Sequence, residues 1–221
     1  MSRQVAACFV LLLSLVLTAC NAAETAKAFP NPTVDTPLAS ASTKSKAVLS
    51  GGCFWGMQAV FKHLRGVTHV TAGYSGGSAD SAHYEMVGTG TTGQAESVEI
   101  TYDPSKVTYG TILKIFFSVA HNPTELNRQG PDEGTQYRSV IFYAGKEQQK
   151  IGVAYINQLN KAQVFPRPIV TQIVPLKAFY AAEEYHQDFA ARHPHNPYIM
   201  MCDAPKVARF RERFPDLYIN E

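Results

Sequence analysis

The sequence predicts an α+β fold: a single two-layer domain with a mixed sheet, a split β-α-β (ferredoxin-like) core and long functional loops. Two observations lead to this prediction. Segments with strand patterns and segments with helix patterns alternate between residues 46 and 191 instead of falling into separate blocks. The chain has 221 residues, 45% of them hydrophobic, which is enough for the core of one ordinary globular domain.

The predicted elements follow one another along the chain with short connections in most places. Alternating or short apolar runs predict five strands, at residues 46–50, 68–74, 96–102, 139–143 and 169–176. Apolar residues at helical spacing predict four helices, at residues 55–63, 109–119, 146–160 and 183–191. The helix at 109–119 is apolar nearly all round, so we expect it to be buried.

Three segments have no clear periodicity. Residues 78–94 and 121–136 are polar and too long for plain connections in a compact domain, which suggests a functional role. Near the C-terminus, Pro194, Pro197 and Pro205 disfavour a regular helix over residues 193–206 and predict a mobile segment.

The N-terminal 45 residues are predicted to lie outside the domain, which we expect to span residues 46–221. Residues 1–20 have a weak positive start and an apolar run too short to span a bilayer comfortably, as signal peptides do. The run ends in Leu17-Thr18-Ala19-Cys20, which resembles the lipobox of bacterial lipoproteins, with Cys20 as the lipidated residue. An ordinary cleaved signal is the alternative. Residues 21–45, rich in Ala, Ser, Thr and Pro, predict a flexible tether.

These features predict an exported protein of the bacterial cell envelope, held to a membrane by lipid on Cys20 and facing the periplasm. Asn21 follows the cysteine, and by resemblance to the enterobacterial sorting pattern this favours the outer membrane. The formal net charge of +2 and the scattered Lys and Arg residues argue against a nucleic-acid partner. No CxxC pair or His/Cys spacing indicates a metal site. We expect a monomer.

The stretch GGCFWG at residues 51–56 places a thiol between glycines and two large aromatic side chains. Cys53 lies between a predicted strand and a predicted helix, where the helix N-terminus would favour the thiolate. The alternative is an inert buried cysteine, but the glycines indicate close backbone approach rather than packing. Phe54 and Trp55 are either ordinary core residues or the lining of an apolar slot for a small group such as a methyl.

Residues that handle protons or bind a polar oxygen occur in the long loops and at one strand start. Glu96 opens a half-buried strand, where burial would raise its pKa and keep it protonated near neutrality, as a general acid requires. Tyr84 and Tyr137 supply neutral phenol donors, and Asp132 lies close to Tyr137 in sequence. This set suits attack by sulfur on a polar electrophile with protonation of a departing oxygen, but leaves open whether the electrophile is carbonyl or sulfur.

Five motifs together resemble those of the peptide methionine sulfoxide reductase A family: GGCFWG, HYEMVGTGTTGQAE, TYDP, GPDEGTQYRS and AEEYHQ. They run in family order from Gly51 to His186, so the resemblance covers nearly all of the predicted domain. It implies an α+β fold and reduction of the S epimer of methionine sulfoxide, free or in peptides. It further implies no cofactor, with electrons from a thioredoxin-like or other thiol reductant, and repair of oxidised envelope proteins.

The resemblance also implies a role for each candidate residue. Cys53 corresponds to the nucleophile that attacks the sulfoxide sulfur and becomes a sulfenic acid. Phe54 and Trp55 correspond to the methyl pocket, and Glu96 to the acid that protonates the sulfoxide oxygen. Tyr84 and Tyr137 correspond to its hydrogen-bonding partners, and Asp132 to an acidic position of the same site.

Cys202 is the remaining thiol of the predicted domain. It lies one residue further from Asn196-Pro197-Tyr198 than the resolving cysteine of the thioredoxin-recycled members, and no second cysteine follows it. We expect Cys202 to resolve the sulfenic acid of Cys53 as a disulfide. The alternatives are a simple structural disulfide between the two thiols, or a buried small hydrophobe held in a tail packed by Met200 and Met201.

Two other functions compete with the reductase. One is a cysteine hydrolase or acyltransferase, which needs His63, His83 or His186 within hydrogen-bond reach of Cys53, and an oxyanion hole. The other is a non-enzymatic surface lipoprotein that retains the scaffold, which loss of Glu96 or of either tyrosine would favour. All three residues are present.

Overall fold

The computed structural model of the chain describes residues 29–220. Its strands are β1 (Ser45–Ser50), β2 (Val67–Ser75), β3 (Ala95–Tyr102), β4 (Arg128–Gln129), β5 (Asp132–Glu133), β6 (Val140–Tyr143), β7 (Gln172–Pro175) and β8 (Tyr180–Ala181). Six of these strands form a sheet in the order β7-β6-β1-β3-β2-β8, and β4 pairs with β5 in a separate two-stranded ribbon. The sheet is mixed, because β6 and β7 run parallel and every other pair is antiparallel.

The helices are α1 (Phe54–Lys62), α2 (Tyr84–Val87), α3 (Tyr109–Ile115), α4 (Lys146–Lys161), α5 (Phe189–Arg192) and α6 (Ala204–Arg213). Two π-helical turns extend this set: Phe116–Ala120 continues α3, and Ile199–Asp203 leads directly into α6. Among the helices of residues 29–220, none is long and apolar enough to cross a bilayer. The mixed sheet with helices confirms the predicted α+β class.

The position of β1 inside the sheet explains its continuous apolar run. Ala47 and Leu49 pack in the large core with α1, whereas Val48 packs with Val140 and Phe142 in a smaller cluster. A strand whose two faces are both covered needs apolar residues at successive positions rather than alternate ones. The C-terminal end of β1 is therefore held by packing on both faces, and the segment that contains Cys53 follows it directly.

The five strands and the first three helices predicted from the sequence are confirmed to within a few residues, but the helix predicted at 183–191 is wrong. That segment is a 3-10 turn at Glu184–His186, an extended Gln187, and then α5 after Asp188, whose φ of 54° is left-handed. The Gln187 amide donates to the carbonyls of Ala72 and Ala182, so side-chain bonds to the neighbouring backbone replace helical ones here.

The irregular conformation predicted for residues 193–206 is also wrong in its second half. The π-helical turn and α6 cover residues 199–213, and Pro205 lies in the first turn of α6, where its missing N–H breaks no helical bond. Met200 and Met201 are 56% and 78% exposed, so they do not pack this segment onto the domain.

Residues 29–44, here called the strap, lie along the domain. Asp35 accepts hydrogen bonds from the backbone N–H of Gly110 (2.9 Å) and the hydroxyl of Thr108 (2.6 Å), at the start of α3. The Tyr155 hydroxyl donates to the carbonyl of Pro30 at 2.6 Å. The flexible tether predicted for 21–45 is thus wrong for the strap, because an extended Pro-rich chain still offers carbonyls and side chains that bond to a surface. Residues 1–28, with the signal and Cys20, lie outside the described residues.

Candidate active site

The turn between β1 and α1 presents Cys53 at the first position before the helix. A Cβ on Gly51 would lie 2.8 Å from Cγ of His121, and Gly52 has a φ of +87°, in the left-handed region that favours glycine. The close backbone approach predicted from these glycines is therefore confirmed. A larger residue at Gly51 would overlap His121, and one at Gly52 would overlap Gln129.

The Cys53 side chain is 6% exposed and makes no capping hydrogen bond to the start of α1. Burial raises the pKa of the thiol well above its ordinary value, and the carboxyls of Glu96 and Asp203 raise it further. The Trp55 N–H and the Lys206 ammonium act in the opposite direction. The thiolate expected from the helix N-terminus is not the resting form, because desolvation outweighs the effect of the helix.

Glu96 is the second residue of β3, beside Tyr74 of β2. Its carboxyl is 4% exposed and accepts a hydrogen bond from the backbone N–H of Phe54 at 3.0 Å. Burial raises the pKa of Glu96 to about 8; the N–H of Phe54 opposes the shift, whereas Asp132 and Asp203 add to it. The expected burial of Glu96 is confirmed, and its protonation at neutral pH stays a prediction that the raised pKa supports.

The phenols of Tyr84 and Tyr137 reach this centre from the two long loops. Burial is the main reason that the pKa of each is raised, and the charges of Glu96 and Cys53 add to the shift in both. Tyr84 is held by its backbone N–H, which donates to Glu183 at 2.9 Å. Both phenols stay protonated at neutral pH and therefore act as hydrogen-bond donors.

Asp132, in β5, is half-buried and accepts a hydrogen bond of 2.5 Å from the hydroxyl of Tyr198. Burial raises the pKa of Asp132, whereas the bond from Tyr198 and the ammonium of Lys206 lower it. The ribbon of β4 and β5 thus connects the loop at 121–136 to the segment before α6.

Aromatic rings surround the start of α1. Phe54 is 1% exposed, and its ring centroid lies 5.0 Å from that of His186 and 5.8 Å from that of Tyr74. Trp55 stacks on Phe189 with centroids 3.9 Å apart, and its indole N–H donates to Nδ1 of His186 at 3.2 Å. These rings give an apolar wall beside a thiol and a protonated carboxyl, which suits a substrate with a small apolar group next to a polar oxygen.

The family model described as peptide methionine sulfoxide reductase matches residues 45–217 of this chain. That range starts at β1, includes every site residue described above and covers more than half of the sequence. The chain belongs to the peptide methionine sulfoxide reductase family.

Curated relatives with the family's name are similar over nearly their whole length. The chain is 60% identical over 172 residues to peptide methionine sulfoxide reductase MsrA 2 of Mesorhizobium japonicum, covering 78% of this chain and 88% of that one. It is 50% identical over 192 residues to MsrA 2 of Synechocystis, covering 86% of this chain and 90% of the relative.

Solved structures of the family share the fold. The reduced form of Mxr1 from Saccharomyces cerevisiae superposes with a TM-score of 0.61 at 29% identity, covering 72% of this chain and 94% of Mxr1. Methionine sulfoxide reductase A of Corynebacterium diphtheriae also gives a TM-score of 0.61, at 33% identity, covering 70% of this chain and 78% of that one.

The structure brings together the family residues that the sequence identified. Glu96 raises the pKa of Cys53 and accepts the backbone N–H of Phe54. Asp132 raises the pKa of Glu96. The pKa values of Tyr84 and Tyr137 are in turn raised by Glu96 and Cys53. Their catalytic roles stay predictions. Cys202 is a free, partly exposed thiol in the π-helical turn, and Cys53 is likewise free, so the structure contains no disulfide between these two described cysteines.

Sequence reasoning missed four residues of the site: His186, Tyr198, Asp203 and Lys206. His186 lies within the motif AEEYHQ, yet only the hydrolase hypothesis gave it a role. It is 2% exposed, its pKa is lowered chiefly by burial, and its Nε2 has no partner among the described residues. Lys206 follows Asp203 at the i, i+3 spacing of a helix, but the sequence predicts an irregular segment there, so the spacing gave no signal.

A cavity of about 360 Å³ lies between α1, α5 and α6. Trp55 and Asp203 line one side of it, but Cys53 and Glu96 do not, so we place the reaction outside it. Within residues 29–220, no group of three or more His, Cys, Asp and Glu side chains is arranged to hold a metal ion.

Proposed function

We propose that this protein reduces the S epimer of methionine sulfoxide, free or in polypeptides, to methionine. The observation that carries the proposal is the buried Glu96 carboxyl, whose pKa of about 8 keeps it protonated and which is bonded to the residue after Cys53. A protonated acid beside a thiol can neutralise the oxygen that leaves the substrate sulfur.

In the reductase step, Sγ of Cys53 attacks the sulfoxide sulfur while Glu96 donates its proton to the sulfoxide oxygen. The hydroxyl formed on the substrate sulfur then passes to Sγ as the substrate sulfur–oxygen bond and the sulfur–sulfur bond made in the attack both break. Methionine leaves, and Cys53 ends as a sulfenic acid. Glu96 regains the proton that the thiol gives up, so protons balance. The substrate sulfur gains the two electrons that Cys53 loses.

The neighbouring side chains orient the substrate for this step. Phe54 and Trp55 form the apolar wall against which the substrate methyl packs. Tyr84 and Tyr137 donate hydrogen bonds to the sulfoxide oxygen, and Asp132 supports the site through its bond with Tyr198. The methyl group would pack against the aromatic wall while the oxygen meets the two phenols. Only one epimer at sulfur can make both contacts with its sulfur facing Cys53.

We propose that recycling uses Cys202. Its thiol condenses with the Cys53 sulfenic acid, which releases water and forms a disulfide, and a thioredoxin-like dithiol then reduces that disulfide while becoming oxidised itself. The partly exposed Cys202, in a segment that packs beside α1, supports this route. The alternative is direct reduction of the sulfenic acid by an external thiol. No metal or organic cofactor enters either route.

We further propose that the protein is exported, monomeric and lipid-anchored through Cys20 to a membrane of the envelope, with the outer membrane favoured. The sequence of residues 1–20 supports this placement. Membrane fractionation of cells that express the wild type and Cys20→Ser tests it: the variant should appear in the soluble fraction with unchanged activity. Unchanged membrane retention of Cys20→Ser would contradict the lipid anchor.

A cysteine hydrolase is not supported by the positions of the histidines. His63 bonds to the carbonyl of Ile219, and Nδ1 of His186 accepts the indole N–H of Trp55. His83 precedes α2 on the surface. The hydrogen bonds of His63 and His186 among the described residues thus go to groups other than the Cys53 sulfur, so neither is placed as the base that such a mechanism needs.

The test of the proposed activity uses residues 21–221 with dithiothreitol and each sulfoxide epimer separately. We expect turnover of the S epimer and essentially none of the R epimer. Cys53→Ser is the matched control and should be inactive with both. Equal consumption of both epimers, or of neither, by the wild type would overturn the proposal.

A further inference from the structure

A buried ion pair lies next to Cys53 and has no place in the reductase step described above. Nζ of Lys206 is 3.0 Å from Oδ1 of Asp203, and the two residues are 8% and 1% exposed. Burying an ion pair seldom adds stability over an apolar pair of similar size, because both charges lose their hydration. The pair therefore calls for a functional explanation.

The pair is held against the first turn of α1. A Cβ built on Gly56 would lie 2.1 Å from Oδ1 of Asp203 and 2.8 Å from Nζ of Lys206. Only a glycine allows this approach, which explains the last residue of the GGCFWG stretch. Cys53 is the residue before this same turn, so the pair sits beside the helix start that carries the sulfur.

The acids around the sulfur outnumber the cation. Asp132 and Asp203 raise the pKa of Glu96, and Asp132 also raises that of Asp203, whereas Lys206 acts to favour the charged forms of Cys53, Asp132 and Asp203. Oδ2 of Asp203 is buried and has no hydrogen-bond partner among the described residues. When the thiol gives up its proton during attack, another negative charge develops in this buried space, and an unpaired charge there is unfavourable.

We propose that Lys206 is the cation that offsets the negative charge on Cys53 during attack, and that Asp203 holds its ammonium against Gly56. Both are positioning residues, since they act through the sulfur and do not touch the substrate. This inference rests on the proposed reductase function for its role in turnover, but its effect on the thiol is measurable without any substrate.

The experiment measures the pH dependence of Cys53 alkylation by iodoacetamide in the full chain, followed by mass spectrometry of the peptide that contains Cys53. Lys206→Met removes the cation and should move the midpoint of alkylation to higher pH by about one unit or more. Lys206→Arg keeps the charge and should stay near the wild type. Asp203→Asn keeps an oxygen for Lys206 but removes the anion, so its midpoint should move to lower pH.

The opposite signs of these shifts separate an electrostatic role from a packing role. Loosening of the helix start would change both variants in the same direction, because each disturbs the same contact. The other ionisable groups that share the environment are left in place in every variant: Glu96, Asp132, Tyr84, Tyr137, His121, Tyr198 and Cys202.

Single turnover of methionine-S-sulfoxide gives the second readout. Lys206→Met should lower this rate by about tenfold or more near neutral pH, with recovery at higher pH, and Lys206→Arg should restore most of it. A wild type that lacks turnover refutes the reductase function, while the alkylation shifts still test the ion pair.

If Lys206→Met does not fold, the double variant Asp203→Asn/Lys206→Met is compared with Asp203→Asn alone, since it buries no unpaired charge. The double variant should then have the higher midpoint. An unchanged midpoint on removal of Lys206, or shifts of the same sign in Lys206→Met and Asp203→Asn, would overturn the proposal.

Discussion

The backbone N–H of Phe54 donates a hydrogen bond of 3.0 Å to Oε2 of Glu96, across 42 residues of sequence. This bond joins the residue that follows Cys53 to the buried carboxyl on β3. The acid is therefore bonded to the backbone immediately after the thiol-bearing residue. Because the donor is a backbone group, the contact survives changes of side chain at position 54.

Replacing Glu96 by Gln should slow the reductase step by about a hundredfold or more, because the amide cannot supply a proton. The amide oxygen still accepts the Phe54 N–H, so the fold should be retained. Single-turnover rates with methionine-S-sulfoxide measure the effect. Glu99→Gln is the matched control: Glu99 lies on the same strand, but it pairs with Lys46 at the surface. Near wild-type rates in Glu96→Gln at neutral pH would remove Glu96 from the mechanism.

Tyr84→Phe and Tyr137→Phe should each slow the same step less than Glu96→Gln does. Either phenol alone still donates to the sulfoxide oxygen, so a single loss is partly compensated. The double variant should lose more than the two single effects combined. Tyr143→Phe, on β6, is a control that should have no effect. Additive effects of the two tyrosine changes would mean that the phenols act independently.

The buried carboxyl of Glu96 should make stability depend on pH in a definite direction. Its pKa is raised from 4.5 to about 8 on folding, so the folded state binds more protons than the unfolded state between those values. Its contribution is thus fully present below about pH 4.5 and is lost as pH rises through about 8. Denaturant unfolding at several pH values gives the free energy of unfolding of the wild type and of Glu96→Gln. The difference between the two isolates the contribution of Glu96.

In that comparison, Glu96→Gln should gain stability relative to the wild type as pH rises from 5 to 9, by roughly 1.4 kcal/mol for each unit of pKa shift. Other titrating groups are common to both proteins and cancel in the difference. A constant difference across the pH range would show that Glu96 is not protonated in the folded state.

Gly56→Ala should destabilise the protein by about 1–3 kcal/mol, because the new methyl would overlap the Asp203 carboxylate. Gly152→Ala is the control in another helix, where a Cβ would meet side chains of Ile173 and Ile141 at ordinary contact distances of 3.4 and 3.5 Å. There the gain in helix propensity should leave stability unchanged or raised by up to about 1 kcal/mol. Equal effects at the two positions would mean that Gly56 is not tightly packed.

Reaction with one equivalent of methionine-S-sulfoxide without reductant should produce a Cys53–Cys202 disulfide. Thiol counting and peptide mapping detect it, and Cys202→Ser should keep single turnover but lose thioredoxin-driven turnover. The disulfide requires a Cα separation of about 4.4–6.8 Å between the two residues. A lasting sulfenic acid on Cys53 beside a free Cys202 thiol would end this proposal.

The sequence was sufficient for elements whose patterns are local. The strand at residues 96–102 and the helix at 146–160 have clear periodicity, and the glycines of GGCFWG already indicated close backbone approach. By contrast, Asp188 breaks a helical pattern through a left-handed backbone that docks Gln187 against β2, and no local signal predicts that contact.

The functional residues also divide into those with a local sequence signal and those whose role depends on tertiary contacts. Cys53 and Glu96 are recognisable from the motifs around them, and the burial that raises the Glu96 pKa follows from its place in a strand. The Asp203–Lys206 pair was not predictable, because its place beside the site depends on the packing of α1 against it. Pro205, between the two, made the segment look irregular, although a proline in the first turn of a helix is favourable.

The strap determines how far the domain can be from its anchor. If Cys20 carries lipid, only residues 21–28 connect the acylated residue to the first strap contact, since Pro30 is already bonded to Tyr155. Eight residues span at most about 29 Å when fully extended, whereas the whole stretch to residue 45 would span about three times as much. The working radius of the enzyme would then be comparable to the thickness of one membrane. Its substrates would be oxidised methionines at the surface of that membrane, and proteins deep in the periplasm would have to diffuse to it.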